Sequence, residues 1–334
     1  MKKFIVLYAP YDKRMNEGWE QKIPDRSCNQ YILLKERLER DDYTVITPDV
    51  AKRSKVRIHA CLFLDIPKKN ARNIFSEDTI KIALLRESEH ILPDNFNLER
   101  HKEFDFILTW KRDLVDNKKY FLYPSYPYAK KFQLAPENLL SRKILSMVFS
   151  NLNSSDIGEL YSERKRVAEW FFQNKIPGFG FFGWGWDTFR IILFKRTIFK
   201  FKLPKRFIPG YWRGVVGDKL ETISKYKFNI AFENTCLIND YVSEKIIDCF
   251  FACTVPIYYG APNIEDKIPK NCFIDYRNFK SVSELYLFIE KMSDEEYLRY
   301  QKNISKFIDS SDFKEFFSVE KWVQDVYSVI VRNT

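Results

Sequence analysis

Two series of short apolar runs, each interleaved with segments of three- and four-residue apolar spacing, predict two α/β units with largely parallel sheets. In the first series Phe4–Ala9, Tyr43–Thr47, Ile58–Leu64 and Ile80–Leu85 read as strands. Phe104–Trp110 and Lys119–Tyr123 add two more, and Asn29–Arg40 has the periodicity of an amphipathic helix. Pro124, Pro127 and Pro136 then break the pattern, as a connection to a second domain would. The second series opens with Ile144–Phe149 as a strand and Ser150-Asn151 as its carboxyl-end turn. Asp156–Asn174 follows with helical spacing, and Phe179–Phe182 is strand-like. Three helices close the chain, at Ser283–Met292, Asp294–Ile308 and Val319–Val331. The division expected is 1–140 and 141–334, the second domain carrying the C-terminal helices.

Within the second series, residues 228–262 place strand, acidic-amide loop, helix and strand in succession with almost no spacer. Phe228–Phe232 suits a buried strand, and Glu233 and Asn234 sit at its carboxyl end, where open α/β sheets hold ligands. Ser243 has the chemistry of an N-cap, and Ile246, Ile247, Phe250 and Phe251 mark one helix face. Thr254–Tyr259 is the next strand, broken by Gly260-Ala261-Pro262. Glu244 and Lys245 therefore fall on the first turn of a helix, whose positive end favours phosphate. That reads as a site for a nucleotide diphosphate. Gly178, Gly180 and Gly183 also spell Gly-x-Gly-x-x-Gly, but no strand leads directly into that run and aromatic residues fill its gaps. A nicotinamide site is rejected.

The same stretch resembles the signature of the α-1,3-fucosyltransferases, glycosyltransferase family 10. The resemblance rests on Phe232-Glu233-Asn234, Tyr241-Val242-Ser243-Glu244-Lys245, Thr254-Val255-Pro256-Ile257 and Gly260-Ala261-Pro262, four blocks in order. It is strong over 218–276, partial over 142–187 and faint before Ile80. Together with the alternating pattern it favours the GT-B architecture, two Rossmann-like domains facing a central cleft. It implies GDP-β-L-fucose as donor, inversion at the anomeric carbon, and an α-linked product on O3 of N-acetylglucosamine or glucose within a glycan.

By resemblance, Asn234, Tyr241 and Glu244 contact the ribose and fucosyl portions of the donor, and Lys245 meets its diphosphate. A second cation is expected from the helix after Asn151, with Arg164 the better match and Arg166 the substitute. Arginine suits a diphosphate because its planar fork donates two parallel hydrogen bonds. Family members carry the general base on a glutamate after a strand of the acceptor domain; Glu87 fits that description, with Glu89 the runner-up. Glu233 stays open between a ligand contact and a structural role.

Composition narrows the partners. The 334 residues are 45% apolar and 17% aromatic, enough for two packed cores, and no run of 18 apolar residues encodes a membrane span. Net charge of +10 favours anionic partners without choosing among them. Three scattered histidines, six cysteines without Cys-x-x-Cys spacing and no Asp-x-Asp triplet argue against a resident metal. No cofactor is expected to be required, stimulation by a divalent ion staying open. From 188 to 217, eight Lys and Arg residues interleave with apolar ones and no Asp or Glu. This suggests peripheral contact with an anionic membrane face, where a lipid-linked glycan would be the acceptor, or else a solvated loop. No recognition module for nucleic acid accompanies it. With no signal anchor in view, the expectation is a cytoplasmic, bacterial-type enzyme. The rivals are another inverting GT-B transferase using a different nucleotide sugar, and a non-catalytic glycan- or membrane-binding module.

Overall fold

The computed structural model describes residues 3–11, 16, 29–124, 126–128, 139–193 and 196–333. Pro136, named above, lies outside them, as do Cys28 among the six cysteines and Phe194 and Lys195 of the basic stretch. The strands are β1 Lys3–Tyr8, β2 Tyr43–Ile46, β3 Ile58–Leu64, β4 Ile80–Leu84, β5 Phe106–Thr109 and β6 Tyr120–Leu122, followed by β7 Lys143–Val148, β8 Phe179–Phe182, β9 Thr188–Leu193, β10 Arg196–Lys202, β11 Tyr226–Phe232, β12 Val255–Tyr259 and β13 Ile274–Asp275. The helices are α1 Asn29–Glu39, α2 Pro48–Ser54, α3 Leu98–His101, α4 Tyr161–Gln173, α5 Lys219–Ile223, α6 Glu244–Phe251, α7 Val282–Lys291, α8 Asp294–Ile308, α9 Ser311–Phe317 and α10 Val319–Asn333.

The chain divides into two compact units, Met1–Lys130 with Ser311–Thr334, and Lys131–Ser310. This corrects the expected division. The last helices belong to the first unit, because α10 carries a stripe of Val319, Trp322, Val326, Val329 and Ile330, all buried. Its partner is α1, where Tyr31 meets the Trp322 ring edge-on at 5.4 Å and the Arg37 guanidinium lies 3.8 Å from the Tyr327 ring centroid. Each large apolar side chain buried in this way contributes about 1.5–3 kcal/mol. Tyr128 also bridges to Ser318, its amide donating to Phe317 O at 2.7 Å. None of these contacts is visible in local spacing.

Each unit is built on a parallel sheet. The first runs β2-β1-β3-β4-β5-β6 and the second β13-β12-β11-β7-β8. Read from the far side, the second is β8-β7-β11-β12-β13, so both sheets place their first strand beside the second and then continue on its other side. The order reverses between β1 and β3 in one unit and between β7 and β11 in the other. Such switch points open a crevice at the carboxyl ends of the strands.

Predicted and observed elements differ in several places. The helix expected from Asp156 starts only at Tyr161, because the segment before it crosses to the loop after β11: Glu159 bridges to Thr235 and Leu160 N donates to Asn234 O at 3.0 Å. The Glu159 carboxylate then accepts the Tyr161 and Ser162 amides at 2.6 and 3.0 Å, closing the helix start. Helices α2, α3, α5 and α9 and strand β13 carried no expectation. The basic stretch after Thr188 forms an antiparallel ribbon, β9 with β10, rather than a loop. The glycine decoy runs from the turn before β8 at Gly178, through Gly180 in the strand, to Gly183 just after it, with no helix opening there. Among the described residues Cys61, Cys236, Cys249, Cys253 and Cys272 are free thiols.

Candidate donor site at the carboxyl edge of the second sheet

The site grows from the end of β11. The Glu233 amide donates to Tyr259 O at 2.8 Å, which keeps the chain in register with β12 for one residue beyond the strand. The Glu233 side chain turns inward and is fully buried. Its Oε1 accepts the Ser243 amide at 2.8 Å, and its Oε2 accepts the Ser243 hydroxyl at 2.6 Å and Lys245 Nζ at 3.3 Å. The glycine of Gly260-Ala261-Pro262 is required by this arrangement. A Cβ at Gly260 would stand 2.5 Å from Glu233 Cγ and 2.4 Å from the Tyr258 hydroxyl. Glu233, left open by the sequence, is therefore a structural hub.

Ser243 caps α6 as predicted, with extended backbone and its Oγ accepting from the Lys245 amide. Buried Ile246, Ile247, Phe250 and Phe251 hold the helix against the sheet. The tip of α6 is thereby fixed beside the end of β11. Lys245 is no loose surface lysine: its side chain is 15% exposed and its ammonium donates to Ser243 Oγ at 2.9 Å. Glu244 stands between two cations, with Oε1 3.9 Å from Lys245 Nζ and 3.6 Å from Lys219 Nζ. Burial alone would push the Glu244 carboxyl up, but Lys245 and then Lys219 outweigh it and hold it down at about 2.

Arg164, on the first turn of α4, crosses the switch point. One Nη2 donates to Phe232 O at 2.7 Å and to Asn234 Oδ1 at 3.1 Å. Its guanidinium is packed against Phe149, 4.3 Å from the ring centroid, and Tyr161, at 4.9 Å. The Nε is buried and has no hydrogen-bond partner among the described residues. Burial pulls this guanidinium below its ordinary value, against the opposing pull of Tyr161 and Glu233. Asn234 in turn donates to the Tyr241 hydroxyl at 3.3 Å. Tyr241 is delivered by a left-handed turn at Asp240, whose amide donates to Asn263 Oδ1 at 2.8 Å and whose carbonyl accepts Lys267 Nζ at 2.8 Å.

The second unit thus gathers all five donor-side residues expected from sequence, namely Arg164, Asn234, Tyr241, Glu244 and Lys245. Arg166, the substitute, is engaged elsewhere, with Glu163 and the Tyr276 hydroxyl. Among the described residues no group of three or more His, Cys, Asp or Glu side chains is arranged to hold a metal ion, and no helix is long and apolar enough to cross a membrane.

In the first unit Glu87 lies on the turn after β4. Its amide donates to Asp65 Oδ1 at 3.1 Å and its carbonyl accepts Asn95 Nδ2 at 2.9 Å, so its backbone is held from both sides. Asp65, fully buried and in the left-handed region at φ 71°, also accepts the Arg86 amide, Nε and Nη2, and Asn95 Nδ2. Glu89, the runner-up, keeps its Oε1 3.5 Å from Lys111 Nζ. Asp65 and Lys219 escaped the sequence reading. Their signals are single residues whose partners lie at least 21 positions away.

Comparison with known proteins agrees with this geometry. The family described as Glycosyltransferase family 10 (fucosyltransferase) C-term matches residues 212–325. Over those residues, about a third of the chain, it resembles the family 10 glycosyltransferases. Its relatives include the α-(1,3)-fucosyltransferase FucT of Helicobacter pylori, 40% identical over 88 residues, a stretch that is 26% of this chain and 17% of that protein. The match therefore spans about a sixth of that relative. A crystal structure of an α1,3-fucosyltransferase with GDP superposes over 100% of this chain and 92% of its own, at TM-score 0.58 and 18% identity. Anabaena HepE in complex with UDP and glucose superposes over 99% and 100% at TM-score 0.57 and 9% identity. At these identities the superpositions establish the fold, which is GT-B, with two parallel-sheet α/β units.

Proposed function

We infer that this protein is an inverting fucosyltransferase that moves L-fucose from GDP-β-L-fucose to a glycan hydroxyl, O3 of N-acetylglucosamine or glucose, giving an α-linkage. The observation that carries this reading is the convergence at one switch point of a capped helix tip with Lys245 and a buried arginine whose Nε is unengaged. A helix tip and cations gathered in this way suit a diphosphate that gains charge on leaving. In the proposed reaction the acceptor oxygen bonds to the anomeric carbon while the bond from that carbon to the β-phosphate oxygen breaks. Glu87 takes the acceptor proton, and Arg164 and Lys245 balance the charge on departing GDP. Asn234, Tyr241 and Glu244 orient the ribose and fucose through their hydroxyls. No metal is required in this scheme, and divalent stimulation is a matter for assay.

The protein is proposed to work in the cytoplasm, with its acceptor a free or lipid-linked oligosaccharide. Peripheral membrane contact would run through 188–217, where the half-exposed Phe189 and Phe201 rings lie 5.2 Å apart across the ribbon. HepE, a neighbour in fold, was solved with UDP, so a different nucleotide sugar is the rival reading. Calorimetric titration with GDP, UDP and CDP separates the two. GDP should bind at least about tenfold tighter, a difference of about 1.4 kcal/mol; a UDP preference overturns the assignment. A glycan-array transfer assay with GDP-fucose then identifies the acceptor.

A further inference from the structure

Glu244 and Asp248 stand one turn apart on α6, an arrangement in which two carboxylates repel. Lys219, from the separate short helix α5, reaches between them. Its ammonium lies 2.5 Å from Asp248 Oδ2 and 3.6 Å from Glu244 Oε1. Asp248 is buried, whereas the Glu244 side chain keeps 41% of its surface exposed. One lysine is therefore anchored on a buried acid while it restrains an open one. Burial would lower the Lys219 ammonium, but Asp248 and then Glu244 outweigh it and keep it charged.

We propose that Lys219 is a positioning residue of the donor site, acting through Glu244. By restraining Oε1 it holds the carboxylate ionised and in one rotamer, with the second oxygen presented to vicinal hydroxyls of the bound sugar nucleotide. Glu244 and its anchor are faced by Lys245 on its own helix, Lys219 on α5, Asp248 one turn on, Glu233 through Lys245, and Arg164 from α4. Losing Lys219 removes one of the two lysines that keep Glu244 ionised. The acid limb of kcat/KM should then move to higher pH.

This inference rests on the donor reading above, and a double-mutant cycle tests it. With GDP-fucose as substrate, Lys219→Met should raise KM about tenfold and lower kcat less than about threefold, the signature of weakened donor binding. In a Glu244→Gln background the same change should cost less than about twofold in KM, and Lys219→Arg should recover most of the wild-type value. Equal factors in both backgrounds, or no change in KM, would overturn the proposal. Because Lys219→Met removes a cation from the buried Asp248 carboxylate, Lys219→Met/Asp248→Met covers a folding failure. That pair should fold and keep the high KM; a return to wild-type KM would mean that Lys219 merely neutralises Asp248. If the wild-type protein binds neither GDP nor GDP-fucose, the donor reading fails instead.

Discussion

The carboxyl edges of the two sheets repeat one device. Asp65 follows β3 and Glu233 follows β11, equivalent strands just past the switch point in each sheet. Each amide donates to the last residue of the next strand, Asp65 to Leu84 O at 2.9 Å and Glu233 to Tyr259 O at 2.8 Å. Each carboxylate is fully buried and organises a neighbouring turn. Beside each hub stands a more exposed glutamate, Glu87 next to Arg86 and Glu244 next to Ser243. The difference lies in what is held. Asp65 gathers an arginine fork and two backbone amides of a turn that presents a carboxylate. Glu233 gathers a helix cap and a lysine that presents positive charge. Buried hubs should therefore cost stability when removed, and their neighbours should cost turnover.

The largest expected effects probe the neighbours. Glu87→Gln should lower kcat about 10³-fold while GDP affinity by calorimetry stays within about twofold. Loss of GDP binding would move Glu87 out of the base role. Lys245→Ala should lower kcat/KM by about 10³-fold in initial-rate assays, since it removes a donor to the leaving group; retained activity would take Lys245 out of the mechanism. The hubs come next. Asp65→Ala leaves Arg86 without its buried partner and should cost about 3 kcal/mol in chemical denaturation. If Glu87→Gln destabilises the protein more than Asp65→Ala does, the division between hub and neighbour collapses. Ser243→Ala should cost about 1 kcal/mol through loss of the helix cap.

The smallest effect is electrostatic. The Glu244 carboxyl is depressed to about 2, below its unfolded value near 4.3. Its contribution to stability is thus fully present above about pH 4.3 and is lost as pH falls towards 2. The stability gap between wild type and Glu244→Gln should stay level from pH 7 to about 5, then narrow in acid. A gap that widens below pH 4 would contradict the lysine pair around Glu244.

Much of the second unit was legible because its signals are local. Phe228–Phe232 is one apolar run, Ser243 is a cap at the head of its helix, and Gly260 marks where the Glu233 and Tyr258 side chains come close. Spacing favours Arg164 over Arg166, and the fold packs Arg164 against Phe149 and Tyr161. The start of α4 was misplaced by five residues because a crossing to Thr235, invisible in periodicity, captured the preceding turn. The ribbon β9–β10 was missed because its cations hide the alternation of a strand.

From residue order alone came the alternation of strand and helix, the capped tip that carries Glu244 and Lys245, and the choice of the five residues proposed for the donor side. Propensity, capping and periodicity act within a few positions of the chain. Folding added the return of Ser311–Thr334 to the first unit, the burial of Asp65 and Glu233 as hubs, and the reach of Lys219 to α6. Each of those depends on a partner distant in sequence, and only packing of a closed core brings such partners within bonding distance.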